Sequence, residues 1–126
     1  MEETTKTILV VDDSASVRQQ VSMVLRRAGF TLLEAADGLE GLAMIGAHRE
    51  IDMVICDVNM PKLNGVQMVE KVKALPENKS LPILMLTTEG QPSLVKRVKE
   101  AGAVGWIVKP FQSNQLIQTV ERLTQA

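Results

Sequence analysis

The chain has 126 residues, of which 45% are hydrophobic and 23% charged, a composition typical of one soluble domain with a buried core. Its formal net charge of -1 argues against a protein that coats nucleic acid or an anionic membrane. The single cysteine, Cys56, excludes an intramolecular disulfide and disfavours a cysteine-based zinc site. Aromatic residues are only 2% of the chain, which disfavours stacking platforms for bases or flavins.

Short apolar runs alternate with longer amphipathic runs along the chain. The apolar runs predict strands at residues 7–11, 31–35, 52–57, 82–87 and 104–108. Apolar residues at helical spacing predict helices at about 14–28, 38–47, 66–75, 94–101 and 116–123, ending at or near Gly29, Pro76 and Gly102 in three cases. We therefore expect one domain over residues 1–126, with its core at about 7–124 and no output domain.

This alternation also predicts how the strands pair. Strands separated by helices favour parallel pairing with right-handed crossovers, so that helices cover both faces of the sheet. Five strand–helix units are too few for an eight-stranded barrel, which leaves an open, doubly wound α/β sheet. In such sheets ligands bind at the carboxyl ends of the strands, where the strand order reverses.

Polar side chains stand at the carboxyl ends of four of the five predicted strands. Taken singly, Asp12 and Asp13 could be a solvated loop or a helix N-cap, and Lys109 could be an ordinary surface lysine. Their common edge of the sheet favours one shared cleft instead. The residues expected in this cleft are Asp12, Asp13, Asp57, Thr87, Thr88 and Lys109.

Three clustered carboxylates need a compensating cation. At about 4 Å and an effective dielectric of about 20, each pair of like charges costs about 4 kcal/mol. Because the donors are all oxygens, the sequence favours a hard cation, Mg²⁺, with Mn²⁺ as the alternative. Lys109 adds a positive charge and the Thr87 hydroxyl can donate to an anion. This set suits phosphoryl transfer to a carboxylate, which forms an aspartyl phosphate.

Four motifs carry a family resemblance. They are DD at 12–13, DVNMPKLNG at 57–65, LTTEG at 86–90 and the Lys-Pro pair at 109–110. Over about residues 7–124 the sequence resembles the receiver domain of two-component response regulators, and most of all the stand-alone chemotaxis response regulators. The resemblance implies a flavodoxin-like sheet with strand order 2-1-3-4-5.

The resemblance also implies a phosphoacceptor and a metal site. Asp57 would accept a phosphoryl group from a histidine kinase of the chemotaxis type. Mg²⁺ would be held by Asp13, Asp57 and the backbone carbonyl of Asn59, with Asp12 binding it mainly through water. The protein would then be a phosphoacceptor switch rather than an enzyme, because it would catalyse only its own phosphorylation and dephosphorylation.

Further residues would sense the phosphoryl group. Lys109 and Thr87 would contact its oxygens, and a cis peptide before Pro110 would direct Lys109 into the site. Thr87 would move towards the phosphoryl group while Trp106, at the position of the family's switch aromatic, turns inward. This would change the surface formed by helix four, strand five and helix five. The tryptophan replaces the commoner tyrosine, phenylalanine or histidine, so we expect the switch to differ in detail.

Residues Asn59 and Glu89 flank the expected site. In the family, residues at these two positions tune the rate at which the phosphoryl group hydrolyses. By resemblance, the phosphorylated form would act as a monomer on a partner protein such as the flagellar motor switch, and a phosphatase would be a further partner. The polar N-terminal segment MEETTKT lacks a signal-peptide core and no run is long enough to span a membrane, so we expect a cytoplasmic protein.

Three other functions remain open at this stage. A magnesium-dependent phosphohydrolase also uses an aspartyl nucleophile, but it usually places its acids one residue apart after the first strand. A flavodoxin-like cofactor module would need a Ser/Thr/Gly-rich phosphate loop, where this chain has the acidic segment VVDDS. A receiver domain that only binds a partner would not need Asp57, Thr87 and Lys109 together.

Overall fold

The computed structural model describes residues 5–88 and 92–125. Within these residues, strands and helices alternate as predicted, and a short 3₁₀ turn, Pro76–Asn78, precedes the fourth strand. None of the described helices has the length and apolar character needed to span a bilayer. The elements are β1 (Thr7–Val11), α1 (Ala15–Arg27), β2 (Thr31–Ala35), α2 (Gly38–Ala47), β3 (Ile51–Cys56), α3 (Gly65–Lys73), β4 (Ile83–Thr87), α4 (Pro92–Ala101), β5 (Gly105–Val108) and α5 (Ser113–Thr124).

The strands form one parallel sheet in the order β2-β1-β3-β4-β5, which confirms the predicted flavodoxin-like topology. The order reverses between β1 and β3, because the chain first adds β2 on one side of β1 and then crosses to the other side. Val11 pairs with Cys56 at the ends of these two strands. The residues that follow them, Asp12 and Asp57, therefore emerge side by side at the switch point.

Two hydrophobic clusters cover the two faces of the sheet. Successive strand residues point to opposite faces, so Leu9 and Val11 join one cluster while Ile8 and Val10 join the other. The first cluster lies under α2, α3 and α4, and the second lies under α1 and α5. Burial on both faces explains why the strands read as continuous apolar runs. Cys56 is fully buried in the first cluster, as a small hydrophobe.

Local capping moves several element boundaries by a residue or two. Ser14 caps α1, accepting a hydrogen bond from the Val17 N–H at 3.2 Å, and Gly29 follows the helix with φ +100°. Asn64 and Gln67 form a reciprocal capping box, so α3 begins at Gly65, one residue before the predicted start. The prediction that Asp57 ends the third strand was wrong by one residue, because β3 runs from Ile51 to Cys56.

Candidate functional site

Asp12 lies just after β1, and its backbone N–H and both of its carboxylate oxygens make hydrogen bonds. Its backbone N–H donates to the carbonyl of Ala35 at 3.1 Å, which continues the β1–β2 pairing by one residue. Its side chain is 2% exposed; Oδ1 accepts from the Ser14 N–H at 2.9 Å and Oδ2 accepts from Lys109 Nζ at 2.9 Å. Both carboxylate oxygens of Asp12 are therefore engaged by donors from the protein.

Asp57 is the corresponding acid after β3. Its N–H donates to the Val11 carbonyl at 2.9 Å, and its Oδ1 accepts from the Val58 N–H at 2.8 Å. The remaining oxygen, Oδ2, lies 3.6 Å from Lys109 Nζ. Burial raises the pKa of Asp57 and the Asp12 carboxylate raises it further, while Lys109 and the Val58 N–H oppose the rise. Asp57 thus holds its negative charge less readily than an ordinary aspartate.

Asp13 completes an acidic cluster at the edge of the sheet. Carboxylate oxygens of Asp12, Asp13 and Asp57 all lie within 4.8 Å of one another. Asp13 is exposed, whereas the other two acids are buried. Three oxygen donors at this spacing fit a hard divalent cation, which neutralises charges that otherwise repel one another. The expected metal site therefore has the donor chemistry that Mg²⁺ requires.

Lys109 follows β5, and its side chain reaches the two buried acids. Its backbone N–H donates to the Thr87 carbonyl at 2.7 Å, so the ends of β4 and β5 are fixed together. The expected cis peptide between Lys109 and Pro110 is present. The side chain bridges both acids, with the Asp12 oxygen closer at 2.9 Å than the Asp57 oxygen at 3.6 Å. The Thr87 side chain is fully buried at the end of β4, and Thr88 is exposed beyond it.

The other expected residues lie around this centre. Asn59 is exposed two residues after Asp57. Trp106 is half-buried on β5, opposite Met85 in the β4–β5 register, and packs against the cluster beneath α3 and α4. Glu89, expected to tune hydrolysis, lies outside the described residues. The structure therefore brings the three acids and Lys109 into one cluster, while Asn59 follows Asp57 by two residues and Trp106 precedes Lys109 by three.

The β3–α3 loop is fixed by contacts that the sequence pattern did not suggest. Gly38, the first residue of α2, packs so closely on Leu63 that a Cβ atom there would lie 2.9 Å from the Leu63 Cβ. Lys62 has φ +66° and its Nζ lies 3.5 Å from an oxygen of Asp37. The Asp-Gly pair at 37–38 was the available signal, because such pairs mark a special backbone position.

An ion pair beside β1 was also missed. Arg18 Nε lies 3.2 Å from an oxygen of Glu34, and Arg18 Nη1 donates to the backbone carbonyl of Asp12 at 2.6 Å. The Ser22 hydroxyl donates to the other Glu34 oxygen at 3.3 Å. A glutamate inside the otherwise apolar run TLLEA was the signal in the sequence, because a charge on a covered strand needs a partner.

A groove opens beside the acidic cluster, between α1 and the start of α5. It encloses about 530 Å³ and its walls are mainly apolar. Lys109 and Thr88 are among its lining residues, and Lys109 also contacts Asp12 and Asp57. Its other lining residues are Val17, Gln20, Met23, Val24, Pro110, Phe111 and Ser113.

Comparison with known proteins agrees with this geometry. The model of the response regulator receiver domain family matches residues 8–121. Over 115 residues the chain is 39% identical to the chemotaxis protein CheY1 of Helicobacter pylori, an alignment that covers 90% of this chain and 93% of that protein. The structure of the chemotaxis protein CheY4 of Vibrio cholerae is 44% identical and superposes with a TM-score of 0.90, covering 95% of this chain and 99% of that one. A putative response regulator from Chloroflexus aurantiacus superposes with a TM-score of 0.91 at 37% identity, covering 96% of this chain and 98% of that one. The chain therefore belongs to the response regulator receiver domain family, as a CheY-like regulator of two-component signalling.

Proposed function

We propose that this protein is a phosphorylation switch in which Asp57 accepts a phosphoryl group. The observation that carries this proposal is the Asp57 carboxylate itself, buried at the switch point of the sheet between two other acids and Lys109. A cation would relieve the repulsion among these carboxylates, and a perturbed acid in such a cleft is a candidate functional group. The domain proposed to do this is residues 1–126.

The cation proposed for this site is Mg²⁺, with Mn²⁺ as a substitute. Asp13, Asp57 and the backbone carbonyl of Asn59 would hold it, and it would neutralise the acids and the phosphoryl oxygens. Asp12 would act through water, which agrees with the engagement of both its oxygens by the Ser14 N–H and Lys109.

The residues of the chain supply the remaining chemistry. Oδ2 of Asp57 would attack phosphorus, forming a new P–O bond while the bond from phosphorus to the donor's nitrogen or oxygen breaks. The Val58 N–H holds the other oxygen of Asp57 in place. Lys109 Nζ, already 3.6 Å from Oδ2, would move to a phosphoryl oxygen, and the Thr87 hydroxyl would donate to another. Phosphoryl transfer depends mainly on such positioning and neutralisation.

Regulation would follow from two states of the face formed by α4, β5 and α5. β5 is an edge strand, and its flanking residue Val104 and its last residue Val108 are 50% and 45% exposed. Half-buried Trp106 lies between them on the same strand. Such an apolar edge suits a protein partner, such as the flagellar motor switch, whose affinity depends on the position of Trp106. Shifting the two states from 1:99 to 99:1 requires about 5.5 kcal/mol of differential binding.

The donor would be a histidine kinase of the chemotaxis type. Lys109 and Thr88 help to line the groove between α1 and α5, so a kinase segment seated there would bring its phosphohistidine towards Asp57. A phosphatase would reverse the reaction, and Asn59 and Glu89 would tune hydrolysis. The protein would act as a monomer in the cytoplasm, where kinase and target are both available.

The test uses acetyl phosphate as donor and intact mass spectrometry as readout. With Mg²⁺ present, the wild-type chain should gain the mass of one phosphoryl group, and Asp57→Asn should gain none. Trp106 fluorescence should change with the same dependence on donor, metal and Asp57. Sustained hydrolysis of a small phosphomonoester would instead favour a phosphohydrolase. Absence of both mass gain and turnover would leave a module that only binds its partner.

A further inference from the structure

The Arg18 side chain contacts the acidic cluster at a backbone carbonyl rather than at a carboxylate. Its guanidinium donates at 2.6 Å to the carbonyl oxygen of Asp12 and pairs at 3.2 Å with Glu34. The side chain thus spans from the first turn of α1 to β2 while holding the turn that carries two of the three acids. A planar guanidinium with several fixed donors is suited to such a bridge.

The carbonyl of Asp12 belongs to the same planar peptide unit as the nitrogen of Asp13. Fixing the direction of this carbonyl therefore fixes the plane from which the Asp13 Cα departs. The Asp13 side chain makes no hydrogen bond or ion pair of its own with any other described residue. Its position relative to Asp12 and Asp57 thus depends on the backbone of the turn. That backbone is held by Arg18 together with the hydrogen bond from the Ser14 N–H to Asp12 and the Ser14 cap.

Glu34 gives the arginine its own fixed position. The two oxygens of Glu34 are occupied by Arg18 Nε and by the Ser22 hydroxyl, at 3.2 and 3.3 Å. The glutamate also offsets a positive charge that would otherwise stand next to a cation site. The chain of contacts runs from Ser22 to Glu34, then to Arg18, and ends at the Asp12 carbonyl.

We propose that Arg18 is a positioning residue for the divalent cation site, acting on Asp13 through the Asp12 carbonyl, with Glu34 as its orienting partner. This inference rests on the proposed metal site at Asp12, Asp13 and Asp57. A positioning role and a simple charge effect predict opposite changes in metal affinity when Arg18 is removed. A cation close to the acids opposes a second cation, so by charge alone the loss of Arg18 would tighten metal binding. By positioning, its loss weakens metal binding.

The experiment measures Mn²⁺ binding directly, by loss of the electron paramagnetic resonance signal of free Mn²⁺ during titration. Partners that orient metal ligands typically contribute tenfold to a hundredfold in metal affinity. We expect Arg18→Ala to weaken Mn²⁺ binding by about tenfold. Arg18→Lys should recover only part of this loss, because an ammonium is a point charge without the guanidinium's fork. Glu34→Gln should also weaken binding, because it removes both the ion pair that fixes the arginine and a negative charge near the site. These two effects have the same sign, so Arg18→Lys is the variant that separates positioning from charge.

The matched control is Arg26→Ala, which removes the same charge from the last turn of the same helix. Its Mn²⁺ affinity should stay within about twofold of wild type, since an exposed charge more than a Debye length from the site is largely screened. Thermal unfolding without metal should be recorded for each variant, and Arg18→Lys, which keeps the positive charge but not the guanidinium fork, serves if Arg18→Ala does not fold.

The inference is overturned if Arg18→Ala binds Mn²⁺ as tightly as wild type or more tightly, or if Arg26→Ala weakens binding equally. Failure of wild type itself to bind Mn²⁺ would overturn the proposed metal site, and this inference with it. The two failures are distinguishable because the first leaves wild-type binding intact.

Discussion

The two turns that carry the acids are held in place by different means. The β1–α1 turn, with Asp12 and Asp13, is fixed by side chains: Ser14 caps the helix and Arg18 donates a hydrogen bond to the Asp12 carbonyl. The β3–α3 loop after Asp57 has the Asn64–Gln67 capping box and the Lys62–Asp37 ion pair, but it depends mainly on close backbone contacts. It fits because Gly38 and Gly65 let backbones approach closely.

The two turns should therefore respond differently to substitution. A side-chain contact can be removed while the backbone keeps its course, so changes at the first turn should alter metal binding in graded steps. A close backbone approach admits no added atom, so changes at the second loop should cost stability and function together. The Arg18 variants test the first turn, and four substitutions in or against the second loop test the other half of the contrast, beginning with the largest expected effect.

Gly65→Ala should be the most damaging change. A Cβ atom at this position would collide with the carbonyl oxygen of Asp57 and lie 2.8 Å from the Val58 Cα. Because both are backbone atoms, the β3–α3 loop itself must shift. We expect the free energy of unfolding, measured by urea denaturation, to fall by about 3 kcal/mol, the upper part of the range for overpacking. Phosphorylation by acetyl phosphate should be lost with it.

The matched control is Gly46→Ala within α2, where an added Cβ has no atom within 4 Å. Alanine is the better helix former, so this variant should gain about 0.5–1 kcal/mol. If Gly65→Ala were as stable as this control, the second loop would not depend on the missing side chain.

Gly38→Ala should have a similar but smaller effect. Its added Cβ would meet the carbonyl oxygen of Leu63 and lie 2.9 Å from the Leu63 Cβ. Leu63 is near the end of the loop, so it can move away with less disturbance of Asp57. We expect a loss of about 2 kcal/mol in urea denaturation and slower, though measurable, phosphorylation. Complete loss of phosphorylation with wild-type stability would show a direct role that this geometry does not predict.

Asp57→Asn should stabilise the protein in metal-free buffer at pH 7. The pKa of Asp57 is raised, so the folded chain binds its proton more tightly than the unfolded chain does. Ionisation therefore costs stability, which falls as pH rises from the ordinary value of 3.8 through the raised pKa. Removing the charge should therefore raise the free energy of unfolding, measured by urea denaturation at pH 7.

The stability difference between wild type and Asp57→Asn should shrink as pH is lowered from 7 towards 4, where the wild-type carboxyl takes up its proton. Asp13→Asn, at the exposed acid of the cluster, should give a smaller gain, because Asp13 contributes least to the raised pKa. A difference that does not vary with pH would mean that the gain arises from packing rather than from charge.

Lys62→Gly should produce the smallest change. Lys62 has φ +66°, a conformation that glycine adopts without strain and other residues adopt at a cost of about 1 kcal/mol or more. Its ion pair with Asp37, at 3.5 Å, lies at the surface and adds little. Lys62→Ala loses the same ion pair but keeps the strain. We expect the glycine variant to be more stable than the alanine variant by about 1 kcal/mol in urea denaturation.

Much of the fold follows from patterns that are local in the sequence. The apolar run at 7–11 and the helical spacing at 38–47 gave the observed bounds of β1 and α2. A strand buried on both faces is apolar at every residue, whereas a helix buried on one face is apolar every three or four residues. The end of β3 was placed one residue late, since a polar aspartate and the last strand residue cannot be separated by hydrophobicity alone.

The acidic cluster was predictable because it depends only on which residues follow the strands. Asp12, Asp57 and Lys109 needed no more than the rule that carboxyl ends of parallel strands meet at one edge. Glu34 indicated that a partner was needed, but its pairing with Arg18 was not predictable, because nothing in the sequence says which basic residue of α1 faces β2. The closer approach of Lys109 to Asp12 than to Asp57 depends on a fraction of an ångström, which only side-chain packing decides.

The burial of Cys56 has a practical consequence for spectroscopy. Its thiol is fully enclosed, and burial raises its pKa, so it stays protonated and reacts poorly with maleimides. It is also the only cysteine in the chain. A cysteine introduced at an exposed position such as Val108, or on α4, would therefore be the sole site to take up a dye, with no need to remove the native thiol. Movement of the β5 edge can then be followed by fluorescence in an otherwise unaltered core.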